Sequence, residues 1–130
     1  MTTETQTYAD GRVLVTTFAD GVRTEATMTD VTDVRSWTSY TNHYDDAGER
    51  VSKSYVYDNG STAEKTYVGG QVTQNVVTEA DGDVRTTTYG ADGVRDTYVI
   101  QDVSGSRDWT SYTNYYDDAG EIISTEYMWD

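Results

Sequence analysis

Short turn signals cut this chain into segments of nearly equal length, and that spacing constrains the fold more than any other feature. Ala-Asp-Gly stands at 9–11, 19–21, 80–82 and 91–93, and Asp-Asp-Ala-Gly at 45–48 and 117–120. Asp-Asn-Gly stands at 58–60, Gly-Gly at 69–70 and Ser-Gly-Ser at 104–106. Asp-Gly and Asn-Gly supply the positive φ that tight hairpin turns need. The longest gap, from 21 to 45, has its own polar break in Thr-Asp-Val-Thr-Asp at 29–33. Between breaks the segments alternate with period two: Val22, Thr24, Ala26 and Met28 against Arg23, Glu25, Thr27 and Thr29. No segment sustains a helical period, and none is long enough for the crossover that parallel strands require. The absence of Pro agrees, since proline removes a ladder donor within a sheet. The expectation is an all-β, elongated antiparallel meander of about eleven strands joined by tight Asp-Gly turns. It forms either a single curved layer or a loosely closed sandwich or barrel.

A longer period lies over this one. Trp-Thr-Ser-Tyr-Thr-Asn-His-Tyr-Asp-Asp-Ala-Gly-Glu at 37–49 returns at 109–121 with one change, His43 becoming Tyr115. Ala-Asp-Gly-Val-Arg at 19–23 returns at 91–95 with the same offset, and the signal at 9–11 matches 80–82 with an offset one shorter. The chain is read as one β-repeat domain, 1–130, holding two imperfect units of about 72 residues, 1–69 and 70–130. Because the sequence stops at Glu-Tyr-Met-Trp-Asp inside an alternating segment, it is expected to belong to a longer array.

Composition narrows the function classes. Hydrophobic residues make up 35 %, below the usual share for a packed globule, yet there are 12 Tyr and 3 Trp, which suit a pleated, half-buried surface. The net charge of −14 repels nucleic-acid phosphates and anionic lipid headgroups, so neither is an expected partner. With no Cys the redox compartment is open. No apolar run has the length of a membrane span or a signal-peptide core.

Tyr44-Asp45, Gly48, Tyr57-Asp58 and Gly60, with Tyr116-Asp117 and Gly120, carry a resemblance. The stretch 44–60 resembles the YD repeat of bacterial Rhs-type and other cell-surface proteins. The whole chain is similar to tandem acidic repeats of large secreted RTX-type proteins. The resemblance implies an extracellular or cell-surface bacterial setting, with neighbouring repeats of a larger parent protein as partners. The RTX nonapeptide is absent, so a calcium-stacked β-roll is not implied.

Candidate chemistry is sparse. His43, the only histidine, is matched by Tyr115 in the second copy, which suits a strand-surface aromatic better than a catalyst. There is no thiol nucleophile and no nucleophile elbow, so no catalytic residues are assigned and no enzyme is expected. Asp45, Asp46 and Glu49, with Asp117, Asp118 and Glu121, are the candidate Ca²⁺ ligands. Successive turns on one sheet edge lie about 10 Å apart, too far to share an ion through bonds of about 2.3–2.6 Å. Turn-capping by Asp is therefore the preferred reading, and no cofactor is expected. Trp37, Tyr57, Trp109, Tyr127 and Trp129 are the candidates for an aromatic platform toward a glycan or protein. In a thin sheet poor in aliphatics, cross-strand packing is the preferred use for them.

The Asp-Asp-Ala-Gly turn is expected to be type I with its Gly left-handed, pairing Asp45 with Glu49. Counting back from there sets Trp37 opposite Tyr57, Trp109 opposite Trp129, His43 opposite Val51 and Tyr115 opposite Ile123. The resulting functional expectation is a non-enzymatic structural repeat module, a spacer or stalk. The alternative is a carbohydrate- or protein-binding adhesin module aided by Ca²⁺.

Overall fold

The computed structural model describes residues 1–33 and 35–130. Its strands are β1 (Thr2–Thr7), β2 (Val13–Ala19), β3 (Val22–Thr29), β4 (Trp37–Tyr44), β5 (Arg50–Tyr57), β6 (Thr62–Val68), β7 (Gln71–Thr78), β8 (Val84–Tyr89), β9 (Arg95–Gln101), β10 (Trp109–Tyr116) and β11 (Ile122–Trp129). They form one sheet in sequence order, every neighbouring pair antiparallel. Among the described residues only sequential strands touch, so the sheet is an open single layer. The closed alternatives, sandwich and barrel, are excluded.

Turn chemistry accounts for the connections. Asp20 and Gly21 both have positive φ (53° and 78°), as do Gly69 and Gly70, giving two-residue hairpins of type I′. At Tyr8–Arg12, Asp45–Glu49, Tyr57–Ser61, Glu79–Asp83, Gly90–Val94 and Asp117–Glu121 a five-residue turn recurs. In each, the fourth residue is a left-handed Gly whose amide donates to the first carbonyl, and the first amide donates to the last carbonyl. The expected pairing of Asp45 with Glu49 holds, at 2.8 Å.

The register further from the turn differs from simple counting. Trp37 faces Tyr57 and Trp109 faces Trp129, as expected, but His43 faces Ser52 rather than Val51, and Tyr115 faces Ser124 rather than Ile123. Each hairpin contains two compensating bulges. An extra residue in the outgoing strand (Val51 or Ile123) shifts the ladder by one, and an extra residue in the incoming strand (Thr38 or Thr110) restores it. Comparable shifts leave Thr24, Thr73 and Asp96 unpaired just after the other hairpins on that edge.

The two faces differ in kind. One row crosses the whole sheet as Gln6, Leu14, Met28, Tyr40, Tyr55, Ala63, Val77, Arg85, Ile100, Tyr112 and Tyr127. The buried apolar residues Ala26, Met28, Ala63, Tyr67 and Ile100 all lie on this face. The opposite face is dominated by hydroxyls, as in the row Thr5, Val15, Thr27, Thr41, Ser54 and Glu64. The core is one-sided: its residues, Ala26 and Ala63 small and Met28, Tyr67 and Ile100 large, are buried among the side chains of adjacent strands on one face.

Candidate functional site

The aromatic candidates assemble into two boxes of matching geometry. In the first, Trp37 meets Tyr40 edge-on at 5.0 Å, Tyr40 meets Tyr55 at 5.7 Å, and Tyr55 stacks on Tyr57 at 5.7 Å. In the second, Trp109 meets Tyr112 edge-on at 5.1 Å, Tyr112 meets Tyr127 at 5.4 Å, and Tyr127 stacks on Trp129 at 5.0 Å. The interplanar angles agree within 2°, at 76°, 44° and 14° against 77°, 42° and 14°. Trp37 and Tyr40 share a face three residues apart because Thr38 is the extra bulge residue. Tyr98 adds a fifth ring beside Tyr112, at 6.5 Å. Burial and neighbouring tyrosines raise the Tyr57 and Tyr112 phenols above their ordinary value.

The cations belong to the same face. Of the 9 Lys and Arg, Arg12, Arg23, Arg35, Arg50, Lys53, Lys65, Arg95 and Arg107 each sit over a Tyr or Trp ring. The ninth, Arg85, donates to the Tyr98 hydroxyl at 2.9 Å. Arg23 on Tyr44, Arg50 on Tyr67 and Arg95 on Tyr116, at 4.1, 4.1 and 4.5 Å, run along the turn edge, each joining two successive hairpins. Lys53 stands directly opposite Lys65, an unfavourable pair that the rings of Tyr40 and Tyr55 offset. A shallow hollow beside Arg23, Tyr44, Glu49 and Arg50 is open to solvent.

The carboxylates proposed as Ca²⁺ ligands separate into two turns. Asp45 Oδ1 accepts from the amides of Ala47 and Glu49, and Asp117 Oδ1 from those of Ala119 and Glu121. These oxygens cap their own backbone. Asp46 and Glu49, like Asp118 and Glu121, sit in the same turns.

Among the described residues, the three carboxylates that come within 4.8 Å of one another are Glu79, Asp81 and Asp83, in the β7–β8 turn. Each of the three has a partner within the chain. Arg85 Nε lies 2.8 Å from Glu79, though not aimed for an N–H hydrogen bond, and the Asp83 amide donates to Asp81. Asp83, only 2 % exposed, accepts from the Ser104 amide at 2.9 Å and from Arg107 at 3.2 Å. The Ser104 bonds, with a smaller contribution from Arg107, hold its carboxyl below the ordinary value despite burial. Sequence reasoning passed over Asp83. The available signal was the alignment at offset 71, which sets Asp83 against Arg12. Arg12 pairs with Asp10, whereas Asp83 reaches across to Arg107 on the next connection. No family model matches the chain, and no curated protein matches it.

Proposed function

We propose that the chain is a non-enzymatic structural repeat module, a spacer or stalk of a secreted or cell-surface bacterial protein. The observation that carries this reading is that, among the described residues, each strand touches only its neighbours in sequence, in an open single layer. Such a sheet lengthens by adding hairpins without disturbing those already in place. Two features agree with it. The aromatic rings and the cations occupy one another, and one carboxylate in each Asp-Asp-Ala-Gly turn, Asp45 or Asp117, accepts from its own turn amides. Neighbouring repeats are the partners this reading requires. The resemblance to YD and RTX-type repeats is the ground for the bacterial surface setting.

The carbohydrate- or protein-binding alternative keeps one observation of its own. The stacked pair Tyr127 and Trp129 is 48 % and 61 % exposed, while Tyr55 and Tyr57 are covered further. Two measurements separate the readings. Eleven strands at about 4.8 Å spacing make a sheet roughly 50 Å wide, so small-angle scattering should give a radius of gyration of about 17 Å, against about 14 Å for a compact domain of this length. A glycan array should show no reproducible binding. Binding lost on Trp129→Ala would replace the structural reading with the second.

A further inference from the structure

The counterparts of both edge strands lie inside the sheet, and both pair there with β6. Along the chain β1 to β5 correspond to β7 to β11, through the matched signals at 9–11 and 80–82 and the matched block at 37–49 and 109–121. β6 is the strand between the two sets. It pairs with β5, the counterpart of β11, and with β7, the counterpart of β1. Strand direction points the same way. With eleven alternating strands, β1 and β11 run in the same sense, so a copy translated along the sheet would meet β11 with a parallel β1. One intervening strand restores the antiparallel order that every other pair has.

The β11 edge is also unlike β1. It exposes Ile122, Ile123, Tyr127, Met128 and Trp129, whereas β1 is Thr-Thr-Glu-Thr-Gln-Thr. An open, apolar edge strand is a template for strand addition. On β5 the positions of Tyr127 and Trp129 are Tyr55 and Tyr57, both half-buried, and Ala63 of β6 stands opposite Tyr55 and is buried.

We infer that the outer edge of β11 is a docking site for an extended segment of the β6 type, added antiparallel. This rests on the structural-module reading and specifies its partner. The register follows from β5: a small residue stands opposite Tyr127, as Ala63 does opposite Tyr55, and a residue at the Glu64 position stands opposite Glu126. Carboxylates directly opposite repel, so the preferred segment is basic there. Its Tyr67 position lies beside Ile122, where β5 has Arg50. A second copy is the weaker occupant, since each carries a charge of −14.

The test is a peptide with the sequence of residues 59–70, alone and with Glu64→Lys or Ala63→Tyr, added to the full chain. Hydrogen exchange of β11 should slow at least about tenfold at saturation. Glu64→Lys should tighten binding about fivefold, and Ala63→Tyr should abolish it. Absence of binding at millimolar peptide, or protection confined to β1, overturns the inference. So does a concentration-dependent dimer through β11 that the peptide fails to displace, because the second copy is then the occupant. In those cases an extended scattering profile and a blank glycan array leave the module reading standing. Glycan binding lost on Trp129→Ala would remove that reading while the exchange result on β11 stands by itself.

Discussion

Tyr55→Ala and Tyr127→Ala make the same chemical change at corresponding positions, and a one-layer sheet requires them to differ. Tyr55 touches Tyr40 of β4 and Tyr57 of its own strand, Lys53 lies 4.9 Å from its ring, and Ala63 of β6 stands opposite it on the outer side. Tyr127 has the corresponding contacts, to Tyr112 and Trp129, but no outer strand, and is 48 % exposed. Removing the Tyr55 ring returns about 100 Å² of buried apolar surface to water, about 2.5 kcal/mol at 25 cal/mol/Å². Its two ring contacts add roughly 0.5–1.5 kcal/mol each. Tyr55→Ala should therefore cost about 4 kcal/mol. Tyr127→Ala should cost about 2–3 kcal/mol locally, because less area is lost. Since β11 touches only β10, that loss should appear as fraying of the last hairpin rather than as global unfolding. Urea unfolding followed by circular dichroism measures the global effect, and hydrogen exchange resolved over β4–β6 and β10–β11 measures the local one. Equal global losses for the two variants, or a loss under about 1 kcal/mol for Tyr55→Ala, would refute the claim that the aromatic boxes hold the sheet together strand by strand.

Gly48→Ala and Gly120→Ala, at φ 81° and 82°, should each cost about 1–2 kcal/mol in urea unfolding, because an L side chain is strained there although Val22 and Val94 leave room for a Cβ. Asp83→Asn should destabilise the fold at pH 7 more than the exposed Asp81→Asn does, since it leaves Arg107 without its carboxylate. The Asp83 carboxyl is depressed in the folded state, so its contribution is present above the unfolded value near 3.9 and is lost as pH falls through the lower folded value. The acid limb of stability against pH should be correspondingly flatter in Asp83→Asn. Melting temperature should rise by about 5 °C, on the order of 1 kcal/mol, between dilute buffer and 0.5 M NaCl or KCl, as screening reduces repulsion among the acidic turns. Calcium at low millimolar concentration should add little, and a large calcium-specific rise would show that the turn carboxylates do more than cap.

The meander was legible because both of its signals are local. Asp-Gly spacing set the hairpins, and period-two alternation set the strands. Register was legible only at its two ends. Counting outward from Gly48 reached Tyr44 opposite Arg50 and Trp37 opposite Tyr57 correctly but misplaced the pairs between the two bulges, which cancel over the length of the hairpin. A signal for the second bulge existed: Trp37 and Tyr40 are three apart and Tyr40 and Tyr44 four, so all three share a face only if one residue is extra. The partnering of rings with cations was not legible. Arg23 and Tyr44 are far apart in sequence and meet only through the pairing of β3 with β4. Nor was the burial of Asp83, which depends on a serine amide and an arginine from the β9–β10 connection.

The compensating bulges explain why thirteen residues recur with one change while their surroundings drift. The five-residue turn fixes where the ladder starts, the outgoing bulge at Val51 or Ile123 shifts it, and the incoming bulge at Thr38 or Thr110 restores it. The four rings share one face only if all three counts hold together. A single insertion or deletion between Trp37 and Gly48 moves part of the box to the hydroxyl face, since side chains alternate with period two. Composition at the remaining positions matters less than count. Lys53 over the first box becomes Thr125 in the second, bonded to Asn114, and the ring geometry is unchanged. His43 and Tyr115 differ for the same reason. They lie on the hydroxyl face, opposite Ser52 and Ser124, where no ring depends on them.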